Sequence, residues 1–183
     1  MKILTINGSP RKDGCCAKLL KKIAEGAREK GGEVVNFQPN KMKIMGCQAC
    51  MICKKEKRCV INDEMVKIYN AVDESDVIVV GVPIYFHEMS SQLKTVVDRF
   101  YSYMNMDANF DFTTTMKKGK KCVLVVPYGN HDKTVYKEYI KSLEDRFKFF
   151  GFDDVEIFVA SDSMSEHTEY LEKCYNIGLS LSK

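Results

Sequence analysis

The stretch Asp76-Val-Ile-Val-Val-Gly-Val82 decides the fold. Past its first residue it is an apolar run broken only by glycine, with no alternation to mark one face as wet. A strand of this kind is covered on both faces, the condition of a parallel sheet. Lys121-Cys-Val-Leu-Val-Val-Pro127 reads the same way. Shorter strands are expected at residues 2–6, 33–38 and 155–160. Between them apolar residues recur at helical spacing: Cys16, Leu20, Ile23 and Ala27; then 63–72, with Asn62 as N-cap; then Leu93, Val96, Val97, Phe100 and Met104; then Tyr136, Tyr139/Ile140, Leu143 and Phe147; and last 170–181. Gly31-Gly32 ends the first of these helices. Five strands, each followed by a helix, imply an α/β protein with a parallel sheet and helices on both faces.

The bulk numbers exclude several classes. The chain has 183 residues, without repeat, linker or low-complexity tract, which fits one domain over 1–183. A net charge of +3 with no basic stripe gives no reason to expect nucleic acid. No stretch approaches the ~20 apolar residues of a membrane span. The opening Met1-Lys-Ile-Leu-Thr-Ile-Asn7 is too short for a signal peptide. A cytoplasmic location is expected, where thiols stay reduced, so the eight cysteines do not read as four disulfides.

In such sheets ligands bind beyond the carboxyl ends of the strands. Strand one runs into Asn7-Gly-Ser-Pro-Arg-Lys-Asp-Gly14 and then a helix. Gly8 permits the turn, Ser9 offers a hydroxyl, Arg11 and Lys12 offer charge, and the helix offers free N–H groups. Together these suit a phosphate; the plainer alternative is a solvated turn carrying two surface cations. Strand three leads into Pro83-Ile-Tyr-Phe-His87, a loop of aromatics able to flank a flat apolar ligand. Lys94 and Asp98 follow at the spacing of a helical ion pair. Strand four leads into Pro127-Tyr-Gly-Asn-His-Asp132, which places Tyr128 and Gly129 on the third side; Asp132 suits the cap of the next helix.

The first loop resembles the phosphate loop of flavodoxin-like NAD(P)H-dependent FMN reductases. The second is similar to that family's P-x-Y-[FW] and K-x-x-x-D-R signature, here ending in Lys94, Asp98 and Arg99. The resemblance implies a flavodoxin-like, doubly wound five-stranded sheet of order 2-1-3-4-5. It implies FMN held at its phosphate by Ser9, Arg11, Lys12, Cys15 and Cys16, and along its ring by Pro83, Ile84, Tyr85, Phe86, His87, Tyr128 and Gly129. Cys15-Cys16 stands where the family usually carries Asn and then Ser or Thr. A thiol is a weak donor, which leaves the contacts there to backbone N–H groups. A helix N-terminus also lowers a thiol pKa, so a reactive role for this pair is the alternative. Cys122, in a buried strand, and Cys174, in a helical stripe, read as small core hydrophobes.

The remaining cysteines form Cys47-x2-Cys50-x2-Cys53-x5-Cys59, within a cysteine-rich loop over 46–60 inserted after strand two. Zinc sites usually use two separated C-x2-C knuckles. Three cysteines at this spacing suit one loop wrapping an iron–sulfur cluster. A zinc site and four reduced thiols are the alternatives. Lys54, Lys55, Lys57 and Arg58 surround the thiols, either to offset an anionic cluster or as a solvated charge run. The combination of loops resembles the iron–sulfur flavoprotein family, a branch of the FMN reductases. In that family the four cysteines hold a 4Fe-4S cluster. This implies electron transfer between a ferredoxin-like donor and a small acceptor such as a quinone, oxygen or peroxide. It also implies a homo-oligomer, dimer or tetramer, in which the cluster of one subunit approaches the flavin of another. The alternatives are an NAD(P)H-dependent FMN or quinone reductase without a functional cluster, NAD(P)H being the donor, and a non-catalytic flavodoxin-like carrier or binding module whose cysteines hold a structural zinc. An insert over 102–118, rich in Met, Phe and Tyr, is expected to cover the flavin or pack on a partner subunit, the alternative being a surface loop with a few satellite apolar contacts.

Overall fold

The computed structural model describes residues 1–164 and 168–181. In chain order they form β1 (Lys2–Asn7), α1 (Cys15–Glu29), β2 (Glu33–Phe37), a short helix α2 (Cys53–Glu56), α3 (Met65–Glu74) and β3 (Val77–Gly81). A small hairpin, β4 (Ile84–Tyr85) and β5 (Glu88–Met89), leads to α4 (Ser91–Arg99). A second hairpin follows, β6 (Met104–Met106) and β7 (Phe112–Thr114). The chain then gives β8 (Lys121–Pro127), α5 (Lys137–Phe150), β9 (Asp154–Ala160) and α6 (Thr168–Leu181). No described helix is long and apolar enough to cross a membrane.

The main sheet is parallel and runs β2-β1-β3-β8-β9, the flavodoxin-like order. Its central strands bury both faces. Leu4, Ile6, Ile78, Val80, Leu124 and Val126 pack against α3, α4 and α5. Their neighbours one residue along, Ile3, Val77, Val79, Val123 and Val125, pack against α1 and α6. The period of two thus distributes one apolar run between two cores. Register levels the carboxyl ends of β1 and β3, where Gly81 pairs with Asn7, while β8 runs two residues past Val125, the other partner of Gly81.

The two helices on the α1 face cross almost backbone to backbone. A Cβ built on Gly26 would stand 2.2 Å from the Tyr175 carbonyl oxygen, and one on Gly178 would stand 2.1 Å from that of Ile23. Neither obstacle is a flexible side-chain end. Cys174 is buried on this face and Cys122 on the other.

Three sequence expectations change. α3 begins at Met65 rather than 63, and Asn62 is not its cap: the Asp63 carboxylate accepts from the Met65 N–H (3.0 Å). The helix after β3 stops at Arg99, tightens into a 3-10 turn over Phe100–Tyr103, and Met104 starts a strand. The Lys54 ammonium takes the carbonyls of Tyr101 and Met104, which diverts acceptors that a longer helix would use. The 102–118 insert folds as the β6–β7 hairpin and packs on α5. Tyr103, Met104 and Met116 are buried, and Phe112 meets Tyr101 and Phe149.

Gly178→Ala should therefore force α1 and α6 apart and cost about 1–3 kcal/mol of stability in urea unfolding. Gly46→Ala, where an added Cβ meets nothing within 4 Å, should stay within about 0.5 kcal/mol.

Candidate functional site

The loop after β1 is pinned before any ligand is considered. Gly8 donates its N–H to the Gly81 carbonyl (3.0 Å), and a Cβ there would lie 2.5 Å from that oxygen. The Asn7 side chain accepts from the Ser9 N–H (3.0 Å), and the Ser9 hydroxyl accepts from the Arg11 N–H (3.2 Å). Gln38, just past β2, donates to the Ser9 carbonyl (2.9 Å). Ser90, the N-cap of α4, donates to the Gly8 carbonyl (2.5 Å) and accepts from the Leu93 N–H (3.2 Å). Four elements thus fix one loop, and the α1 N-terminus beyond it has no side-chain cap and no acidic residue in its first turn. Its free N–H groups and partial positive charge favour an anion.

That loop forms one wall of a cleft of about 230 Å³. Ser9, Arg11, Cys15 and Cys16 line it from the first loop; Pro83, Ile84 and Tyr85 from the second; Tyr128 and Gly129 from the third. Tyr85 OH lies 3.3 Å from the Ser9 hydroxyl and joins two of the walls. The sequence reading missed a fourth wall, Ser163 and Met164, past the end of β9. It is tied in by the Ser163 N–H donating to the Tyr128 carbonyl (2.9 Å) and that of Asp162 to the Asn130 carbonyl (2.8 Å). The signal was available, since this loop too leaves the carboxyl end of a strand.

Lys12, Phe86 and His87 fall outside the cleft lining. Phe86 and His87 are the two central residues of the β4–β5 hairpin, both left-handed, with φ of 46° and 69°. Two positive φ values at the centre of a two-residue hairpin are those of a type I′ turn, and Phe86 at this tip is 99% exposed. His87 instead meets Tyr136 edge-on, 5.6 Å between ring centroids, and Tyr136 meets the buried Tyr128 at 5.0 Å. Tyr139 braces the hairpin by donating to the Glu88 carboxylate, and its oxygen lies 2.8 Å from the Met89 N–H. Asp132 does not cap α5; its carboxylate accepts from Thr134 (2.8 Å from the N–H, 2.7 Å from the hydroxyl) and holds a local turn. Lys94 and Asp98 form the i, i+4 ion pair at 2.5 Å. No described residue of the 102–118 insert lines the cleft, so it does not cover it.

Cys16 also departs from a simple phosphate contact. Its Sγ faces the sheet, where a Cβ on Gly81 would stand 2.4 Å away. Burial drives its pKa up, with the Cys15 thiol adding to the effect, against one hydrogen bond from the Ser9 backbone. Burial raises Cys15 as well, against Lys18. Burial thus pushes both thiols away from the thiolate form that a nucleophile needs.

The cysteine loop lies at the other end of α4, whose nine residues span roughly 13 Å. Arg99, the last of them, is buried there rather than beside the cleft. Cys47 and Cys50 are exposed, Cys53 and Cys59 half-buried. Ala49 and Met51 take left-handed φ of 50° and 58°, so the backbone curls between successive cysteines. Burial raises the Cys53 pKa; Lys54 opposes this, while Cys59, Cys47 and Cys50 add to it. All four thiols thus share one electrostatic neighbourhood. Among the described residues no three His, Cys, Asp or Glu side chains stand in a metal-ligating arrangement. The donor set itself, four thiols within thirteen residues, suits a thiophilic metal centre. Beside the loop, between it and α3, lies a wider hollow of about 820 Å³.

A flavodoxin-like sheet whose carboxyl ends frame an anion-binding loop and an aromatic wall defines a class of α/β nucleotide-binding folds. Within that class the chain belongs to the NADPH-dependent FMN reductase family, whose sequence profile matches residues 1–130. It is 37% identical over 99 residues to an iron–sulfur flavoprotein of Methanosarcina thermophila, an alignment covering 54% of this chain and 52% of that one. An iron–sulfur flavoprotein of Clostridioides difficile is 27% identical over 146 residues, covering 78% and 61%. The chain spans about half the length of most of the curated relatives it matches. Among solved structures, an NAD(P)H:quinone oxidoreductase from Methanothermobacter marburgensis superposes with a TM-score of 0.81 at 14% identity, over 99% of this chain and 98% of that one. An FMN-dependent NADH-azoreductase from Bacillus anthracis, solved with FMN, gives 0.73 at 17%, over 99% and 97%. At these identities the likeness is one of fold.

In the metal-free chain at pH 8, iodoacetamide should modify Cys47 and Cys50 first. Cys16, Cys122 and Cys174 should stay unmodified until unfolding, since burial raises all three pKa values, Cys174 to about 12. Peptide mass spectrometry decides; modification of Cys16 as fast as Cys50 would contradict the burial argument.

Proposed function

We propose that this chain is a redox flavoprotein that holds FMN in the cleft and a 4Fe-4S cluster on Cys47, Cys50, Cys53 and Cys59. In this reading it passes electrons between a ferredoxin-like one-electron donor and a small acceptor such as a quinone, oxygen or peroxide. One juxtaposition supports it above the rest. An anion-binding loop with an aromatic wall and a curled loop carrying four thiols occupy the two ends of a single helix, α4. When bound, the cluster supplies one-electron exchange and FMN one- or two-electron exchange, so no protein acid or base is required.

The chain's own residues bind, orient and balance charge. The α1 N-terminus and Arg11 meet the phosphate, with Ser9 held to receive it. Pro83, Ile84 and Tyr85 flank the ring on one side, Tyr128 and Gly129 on the other. Lys12 and His87, which do not line the cleft, would reach the flavin only from outside it. Lys54, Lys55, Lys57 and Arg58 offset the thiolate charge.

The length of α4 separates cleft and thiols within one chain. Apolar side chains stand exposed at both places: Met45, Met51, Ile52 and Val60 around the thiols, Phe86 at the cleft rim. A second copy covering these surfaces would bring the thiols of one subunit toward the cleft of another, in a dimer or tetramer.

A second reading takes its donor from the matched family's own description, an NADPH-dependent FMN reductase. It makes the chain an NAD(P)H-dependent FMN or quinone reductase without a functional cluster.

Anaerobic FMN reduction by reduced ferredoxin and by NAD(P)H, in the native chain and in Cys50→Ser, separates the two. The electron-transfer reading predicts fast reduction by ferredoxin that falls at least tenfold in Cys50→Ser at unchanged FMN content. Fast reduction by NAD(P)H, indifferent to Cys50→Ser, would leave the plain reductase. In either case Arg11→Gln should weaken FMN binding by about tenfold, the worth of one charge-assisted contact.

A further inference from the structure

Arg99 is a guanidinium inside the core, 1% exposed. A buried charge is costly unless paired and hydrogen-bonded. Its two terminal nitrogens donate to the segments flanking the cysteines, and its guanidinium also stands 5.9 Å from the ring centroid of Tyr69 on α3. Nη1 donates to the Met45 carbonyl (2.8 Å) and to Asp63 Oδ2 (3.0 Å). Nη2 donates to the Ile61 carbonyl (3.3 Å) and to Asp63 Oδ1 (3.3 Å). Met45 lies two residues before Cys47, and Ile61 two residues after Cys59. One planar fork therefore grips both ends of the loop, as the point charge of a lysine does not.

The two ends are also laced to each other. The Asp63 carboxylate accepts from the Met45 N–H (2.8 Å), and the Glu64 carboxylate from that of Lys43 (2.7 Å). The Glu64 N–H returns a bond to the Lys43 carbonyl (3.3 Å). A second anchor holds the middle. Lys54, next to Cys53, donates to the Tyr101 carbonyl (2.6 Å) and to that of Met104, with its ammonium 3.5 Å from the Tyr101 ring centroid. None of these bonds uses a thiol.

We propose that Arg99 is a positioning residue for the cysteine loop: it closes the loop's mouth before any metal arrives, so that the chain presents four thiols on a preset frame instead of folding around its metal. The proposal rests on the reading of those thiols as cluster ligands. It contrasts with small zinc domains, where metal binding and folding are one event. Loading and folding are separable here, because the frame is made by an arginine, an aspartate and a lysine on carbonyl groups.

The test uses the full chain with FMN bound and metal removed, as native protein, Arg99→Lys and Asp63→Asn. Co²⁺ is titrated against a competing chelator and read by thiolate-to-metal absorption. In parallel, trypsin cleavage after Lys54, Lys55, Lys57 and Arg58 is timed by mass spectrometry. Both variants should keep a cooperative thermal transition, at a lower midpoint, and their FMN content, lose about tenfold or more in Co²⁺ affinity, and be cut several-fold faster in the loop but not elsewhere. Unchanged affinity and cleavage in a folded Arg99→Lys would overturn the proposal. If Arg99→Lys does not fold, Asp63→Asn decides on the same readouts. Failure of both to fold overturns it too, because the pair would then serve the core. A native chain that takes up no Co²⁺, yet is cut more slowly in its loop than Arg99→Lys, removes the ligand reading and keeps the clamp.

Discussion

Burial of both faces of the central strands leaves a ligand no entry except past the strand ends. β1, β3 and β8 give one face to α3, α4 and α5 and the other to α1 and α6. β1 and β3 end level and β8 runs two residues further, so the loops after them leave the same edge of the sheet. Gly81 is where this is tightest. It ends β3, accepts from Gly8, and leaves room for the Cys16 sulfur against its bare Cα. The anion-binding loop owes its shape to that contact as much as to its own residues.

α4 carries the consequence outward. Its N-cap serine holds the Gly8 carbonyl at the cleft, and its last residue reaches beneath the cysteine loop. A rigid rod between two loops fixes their separation without either touching the other. Exposed apolar residues stand at both ends of that separation, around the thiols and at the hairpin tip.

Much of this was legible in the residues. The unbroken run at 76–82 announced a doubly covered strand, and strand–helix alternation gave the parallel sheet. Most of the cleft lining followed from asking which loops leave carboxyl ends. What stayed hidden depended on backbone detail or on long-range pairing. Phe86 and His87 read as wall residues, because nothing in Ile-Tyr-Phe-His-Glu advertises a two-residue turn with two left-handed positions, where Asn or Gly is usual. Cys16 read as a phosphate contact because the helix phase that turns it toward Gly81 depends on how α1 sits on the sheet. Arg99 read as part of a flavin-side signature. Its partners lie 36 to 54 residues away in the chain, and no local pattern encodes them. Ser163 and Met164 were missed although the loop after β9 obeyed the same rule as the others.

The central claim is that one chain holds both a flavin and a cluster on the sites described. Iron, acid-labile sulfide, zinc and FMN measured on one anaerobically purified sample, alongside its absorption spectrum, test it most directly. The account predicts one FMN with about four iron and four sulfide per chain, the stoichiometry of a cubane on four thiolates. FMN with zinc or no metal, persisting after reconstitution with iron and sulfide, would contradict it.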